Sequence, residues 1–231
     1  NHRLGVLSKS KAEFIVNACN EITNGIHDNQ FPLSVWQTGS GTQTNMNVNE
    51  VISNLASKAS GCLLGSHQPI HPNDHVNRSQ STNDVFPAAI QIATIQEVIS
   101  KLLPEIDLLI STFEKKIVNW KDIVKTGRTH LQDAVPLTLA QEASAWKEQL
   151  VNARNRISHS LDELYPLPLG GTAIGTGLNA PSGFDLEIAC EIASSTELPF
   201  KSAVNKFAIM ASHDGLVHTM SELKMLAISL F

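Results

Sequence analysis

The chain has 231 residues, 42% of them hydrophobic, and a formal net charge of -5. That length and apolar content can bury a substantial core, as one large domain or two smaller ones, and exclude a disordered tail. The negative balance argues against a nucleic-acid partner, because phosphate recognition needs clustered Lys and Arg. No apolar run approaches the roughly 20 residues that a membrane-spanning helix requires. Cys19, Cys62 and Cys190 are odd in number, widely spaced and free of any C-x-x-C pairing. They indicate neither a disulfide framework nor a zinc site, and a reducing compartment fits best.

Taken in chain order, the pattern is helical. Phe14, Ile15, Ala18, Cys19 and Ile22 predict a first helix that stops at Asn24-Gly25. After a loop from Pro32 to Thr42, the positions Val48, Val51, Ile52, Leu55 and Ala59 recur in steps of three and four, predicting an amphipathic helix closed by Gly61. A loop rich in Gly, Pro, His and Asn spans Gly65 to Asn83. A long apolar pattern then runs through Val98, Leu102, Ile106, Leu109, Phe113 and Ile117, with a kink expected at Pro104. Strand signals are thin, confined to a short extended piece at Asp122 to Lys125. A helix beginning near Pro136 carries Leu139, Ala143, Trp146, Leu150, Ala153, Ile157, Leu161 and Leu164, a heptad-like bundle seam. The final stripe is Leu216, Met220, Leu223, Ala227 and Leu230. It ends without a cap, and the chain opens on Asn1 rather than Met, so both ends are expected to continue in a longer protein. The fold class that follows is all-α: a small N-terminal helical domain before about Gln80, then a bundle of long packed helices. Seams this apolar exceed what one chain covers, so a homo-oligomer is expected.

Four polar loops could carry chemistry. Trp36 to Asn45, with Gly39-Ser40-Gly41-Thr42, precedes a helix. Its glycines permit close backbone approach, its hydroxyls donate, and helix N-terminal amides favour an anion. A carboxylate cradle and a plain N-cap with a surface turn both fit. His71-Pro72-Asn73-Asp74-His75-Val76-Asn77 with Gln80-Ser81-Thr82-Asn83-Asp84 is dense in short polar side chains, which either face water or line a polar pocket. His71 and His75 are four apart, but Pro72 favours a helix start, and no third metal ligand stands at typical spacing. Ser81-Thr82-Asn83 could equally cap the helix that contains Pro87. In Gly127-Arg128-Thr129-His130-Leu131-Gln132-Asp133, the histidine titrates near neutrality and could be tuned by Asp133 or Glu142. Leu169 to Asn179 has glycine spacing suggestive of a dinucleotide loop but no preceding strand, so a tight interhelical turn is the better reading.

The strings TGSGTQTNMNVNEV, HPNDHVN, QSTNDVFP, GRTHLQDAVPLTLAQE, LGGTAIGTGLN, NKF and HDGLV, in this order, resemble the class II fumarases of the fumarase/aspartase superfamily over essentially the whole chain. The resemblance implies an internal fragment of a fumarate hydratase. That enzyme takes a small dicarboxylate substrate, needs no cofactor and no metal, and works as a homotetramer with active sites shared by three subunits, in the mitochondrial matrix or the cytoplasm. It further implies that Ser40, Gly41, Thr42, Ser81, Thr82, Asn83 and Thr129 hold the substrate carboxylates and that His130 is the catalytic proton donor or acceptor. His71, Pro72, Asn73 and Asp74 would form a second dicarboxylate site. Gln68 departs from the family there, standing where many relatives place an Arg. A loop of the type GSSxMPxKxN, carrying a catalytic serine, is expected beyond Phe231. The resemblance leaves two rivals: aspartate ammonia-lyase, whose motif is closer to QSTND, and a non-catalytic scaffold of the same superfamily. Gly39 to Gln43 and the His of GRTH favour the fumarase.

Overall fold

The structure, a computed structural model, describes all residues from Asn1 to Phe231. Eight α-helices dominate it, and extended structure is limited to two two-stranded sheets, so the all-α class holds. The chain divides into two compact units, residues 1–90 with 166–212 and residues 91–165 with 213–231.

In the first unit, α1 (Lys9–Thr23) ends at Asn24 as the Asn-Gly signal predicts, and it packs on α2 (Thr42–Ala59). The buried face of α2 is not the expected one. Asn49, Ile52, Ser53, Ala56 and Ser57 are buried, whereas Val48, Val51 and Leu55 are half-buried and Ala59 is exposed. Hydroxyls explain the rotation. Ser53 Oγ donates to the Ile70 carbonyl at 2.6 Å and Ser57 Oγ to the Gln68 carbonyl at 2.7 Å, so the segment before His71 lies on a small, polar face whose donors are satisfied. Residues Pro72–Val76 form one wide helical turn, and α3 (Thr82–Glu97) starts six residues later. From residue 166 the chain returns to this unit. There β1 (Pro166–Leu167) pairs in parallel with β2 (Lys201–Ser202), and α4 (Phe184–Thr196) and α5 (Lys206–Ala211) flank them. Leu167, Phe184, Phe200 and Ala203 are buried here.

In the second unit, Val98–Leu102 make another wide turn before α6 (Leu103–Asn119). Pro104 falls in the first turn of α6, where its missing amide is tolerated, so the irregularity precedes the proline rather than centring on it. The bundle seam is as expected on α7 (Leu139–Ser160): Ala143, Leu150, Ala153 and Ile157 are buried, as are Leu161 and Leu164 just beyond it. Each fully buried Leu or Ile contributes about 1.5–3 kcal/mol. Only Trp146 stays 43% exposed, its ring tilted on Phe113 at 6.0 Å. Helix α8 (Asp214–Leu230) packs on α7 through Thr219, Glu222 and Leu226, not through the expected Met220, Ala227 and Leu230, which are exposed. An ion pair selects this face, since Arg156 Nε lies 3.1 Å from Glu222 Oε2. Gly215 adds to it, because a Cβ there would meet Leu164 at 2.9 Å.

The main departure from the sequence reading lies between α6 and α7. A hairpin occupies residues 124–138: β3 (Val124–Thr129) pairs antiparallel with β4 (Gln132–Thr138), with Thr129 opposite Gln132. Pro136 therefore stands in a strand opposite Thr126, and α7 begins only at Leu139. A two-stranded ribbon has only edge strands, which tolerate proline. The helix start is fixed instead by Thr138, whose Oγ1 accepts from the Gln141 amide at 3.2 Å while the Gln141 side chain accepts from the Thr138 amide at 2.9 Å.

Candidate functional site

Within the first unit, three of the four polar loops meet. Gly41 caps α2 with φ 72°, and a Cβ there would lie 2.2 Å from the Phe86 ring, so only glycine fits. On either side of it, Ser40 Oγ and Thr42 Oγ1 are exposed and 3.5 Å apart, with Thr38 Oγ1 3.1 Å from Ser40 Oγ. No side chain caps this end of α2. One turn on, Asn45 Nδ2 donates to Thr82 Oγ1 at 2.9 Å, joining the first loop to the start of α3.

Ser81 begins α3 with reciprocal bonds. The Asn83 amide donates to Ser81 Oγ at 3.3 Å, and the Ser81 amide donates to Asp84 Oδ1 at 2.9 Å. The capping reading of this segment is thus realised, and it leaves Ser81 and Thr82, but not Asn83, on a cavity of about 870 Å³. Asn73, Asp74, Asn77 and Arg78 line one part of that cavity, Ser81 and Thr82 another, and Thr172, Thr176 and Asn179 the rest. Its size is that of a small-ligand pocket. Asn83 turns its Nδ2 to the Ala173 carbonyl at 2.7 Å.

The glycine-rich stretch is a tight turn, but it is not interhelical: the short strand Pro166–Leu167 precedes it, where none was expected. Gly170 (φ 86°) and Thr172 (φ 54°) aim their amides at Asp84 Oδ2, at 3.1 and 2.8 Å. Such a nest suits an anion, and the anion here is an internal carboxylate rather than a phosphate. Asp84 is fully buried, and burial pushes its carboxyl above the ordinary range while the amide donors from Ser81, Thr172 and Gly170 pull it down. Beneath the loop, Asp185 accepts from Lys206 Nζ at 2.7 Å and Ser202 Oγ at 2.8 Å. Burial alone would raise Asp185, but these donors outweigh it and hold it below the usual carboxylate range.

The two histidines of the second loop are committed to backbone. His71 Nδ1 accepts from the Asn73 and Asp74 amides at 3.2 Å each, and His75 Nδ1 from the His71 amide at 2.8 Å. Pro72, buried, starts the turn they cap. Lys11 Nζ lies 2.5 Å from His75 Nε2, and burial, then this ammonium, lower the His75 pKa. No group of three or more His, Cys, Asp or Glu side chains is placed to share a metal ion.

Thr129 and His130 belong to the second unit. They sit at the hairpin tip, where His130 (φ 49°) and Leu131 (φ 62°) form the two-residue turn and both are exposed. Positive φ at both centres is the turn that suits strand twist. Asp133 and Glu142, the expected tuners of His130, are engaged elsewhere: Asp133 lies 3.3 Å from Arg128 Nε and Glu142 2.5 Å from Lys125 Nζ. Sequence reasoning singled out neither Asp84 nor Asn45, Arg78 and Thr172. The available signal was the unbroken polar string Gln80 to Asp84, whose last member is the one the fold buries.

This helical framework and its polar loops are those of a lyase. A family model described as Lyase matches residues 2–231, and the chain belongs to that family. Over its whole length it is 77% identical to the class II fumarate hydratase of one strain of Prochlorococcus marinus, covering 50% of that protein. It is 64% identical, with the same coverage, to the class II fumarate hydratase of a second strain of that organism, MIT 9313. Among solved structures it is similar to class II fumarase from Schistosoma mansoni, with TM-score 0.96 and 42% identity over 100% of this chain and 51% of that one. It is also similar to a fumarate lyase:delta crystallin from Brucella melitensis bound to cobalt, with TM-score 0.92 and 37% identity over 100% and 50%. The chain spans about half the length of the curated relatives it matches.

Proposed function

We propose that this chain is part of a class II fumarate hydratase that interconverts fumarate and malate. The observation that carries the reading is the cavity of the first unit, which gathers hydroxyl, carboxamide and guanidinium groups of Asn77, Arg78, Ser81 and Thr82, and which Asn73 and Asp74 of the second site described below border. In this reading Ser40, Gly41, Thr42, Ser81, Thr82, Asn83 and Thr129 hold the carboxylates. Water's oxygen bonds to one alkene carbon, the π pair moves to the neighbouring carbon and spreads onto its carboxylate, and that carbon then takes a proton. Preorganised donors stabilise the developing charge. His130 takes or relays the proton of the water. No redox step occurs, so no cofactor is invoked.

Residues 1–80 belong to the first domain of the full-length enzyme, and residues 81–231 to the front half of its long-helix domain. A homotetramer with sites shared by three subunits supplies the remaining groups. His71, Pro72, Asn73 and Asp74 form a second dicarboxylate site. With Gln68 in place of a cation there, and both histidine Nδ1 atoms occupied, it binds more weakly than the first. The compartment is the cytoplasm. The curated relatives are bacterial, which supports the cytoplasm and not a mitochondrial location.

The test is to incubate the full-length protein separately with malate and with aspartate and identify the products. Fumarate from malate alone supports the reading. Fumarate from aspartate, the outcome toward which QSTND at 80–84 points, replaces it with aspartate ammonia-lyase.

A further inference from the structure

We propose that Asp84 is a positioning residue of the dicarboxylate pocket, its buried carboxylate holding the Ser81–Asn83 donors and the 170–173 loop at fixed spacing. Asp84 has no exposed surface, and no cation stands among the groups that act on its carboxyl. A buried carboxylate without a cation persists only where hydrogen bonds replace its water. All three it receives are from backbone amides: Ser81 on Oδ1, and Gly170 and Thr172 on Oδ2. One side chain thus ties together segments 86 and 88 residues apart in the chain.

A second tie runs parallel to it, from Asn83 Nδ2 to the Ala173 carbonyl at 2.7 Å. Ser81, Thr82, Thr172 and Ala173 all line the same cavity, so the clamp sets the spacing between two of its walls. Thr172 is held at φ 54°, a backbone conformation that β-branched residues avoid, and its Oγ1 is buried without a partner. A strained residue on the pocket wall, bonded through its amide to a fully buried carboxylate, marks a place where geometry is maintained for a purpose beyond packing. Displacing a substrate-holding group by about 1 Å lowers turnover by about 10²-fold.

The identity of the ligand rests on the fumarate hydratase reading, whereas the clamp does not. The experiment uses full-length enzyme with Asp84→Asn and Asp84→Ala. Asn can keep its oxygen toward Gly170 and Thr172 but must turn an NH2 toward the Ser81 amide, losing one bond. Ala loses all three. The expected result is a graded rise in fumarate KM, about 10-fold for Asn and about 10²-fold for Ala, with parallel weakening of succinate, a non-reacting dicarboxylate probe. Folded Asp84→Asn with KM, kcat and succinate affinity unchanged would overturn the proposal, since lowered thermal stability alone marks a merely structural role. If neither variant folds, amide hydrogen exchange of the wild type decides. Slow exchange at Ser81, Gly170 and Thr172, slowed further and together by succinate, supports the clamp, and exchange of Thr172 at the rate of an open loop overturns it. Should the wild type bind succinate but not hydrate fumarate, the hydratase reading fails while the clamp is still judged by exchange and by succinate affinity.

Discussion

His130 occupies a left-handed position at a hairpin tip, which makes its replacement unusually informative. Asn adopts that backbone conformation more readily than most residues, so His130→Asn preserves the turn while removing an imidazole able to take and return a proton. In the full-length enzyme kcat should fall by about 10²- to 10⁴-fold, the usual contribution of acid–base catalysis, with KM changing less and one limb of the pH–rate profile lost. Near-normal turnover with an unchanged profile would show that His130 is a bystander. Gly41 argues the opposite way, since any side chain there is excluded. Gly41→Ala places a Cβ 2.2 Å from the Phe86 ring on a left-handed backbone, and should cost about 2–4 kcal/mol by urea denaturation. A loss under about 1 kcal/mol, on the order of a helix-propensity change, would show that α2 and α3 are not held in contact at this point.

At the scale of elements, periodicity identified the long helices, but it missed α4 and α5 and did not always give the face a helix buries. On α7 the aliphatic seam from Ala143 to Ile157 was legible, and only its aromatic member, Trp146, is exposed. On α2 and α8 the apolar stripe lost to serine hydroxyls and to Glu222, because a satisfied hydroxyl or ion pair can be buried and periodicity does not register the partner. The hairpin of residues 124–138 was hidden because its side chains are mostly exposed, so it lacks the alternation that reveals a half-buried strand. The loop motifs were visible as strings, yet the bond that joins two of them, from Asp84 to residues 170–172, depends on contacts that no spacing encodes. Asp84 also gives the first unit a pH dependence of known sign. Burial raises its pKa above 3.8, so the folded state binds the proton more tightly than the unfolded chain does. The stability it contributes is full below 3.8 and is lost as pH rises through the folded-state pKa. Urea midpoints of wild type minus Asp84→Asn should therefore decline across that acid window. A difference that grows with pH would mean that the three amides outweigh burial.

For the whole molecule, the chain reads as about half the length of a lyase, with the polar loops on one unit and a histidine-tipped hairpin on another. Proton transfer and fixed donors suffice for the chemistry, so exhaustive EDTA treatment of the full-length enzyme should leave its activity intact. Loss that a divalent metal restores would bring His71 and His75 back as ligands. The most direct test of hydration is proton NMR of fumarate incubated with the full-length protein in D2O. The account predicts that the alkene signal gives way to malate carrying one deuterium at the carbon next to the hydroxyl-bearing one. Fumarate that persists unless ammonia is added, and then becomes aspartate, would contradict it.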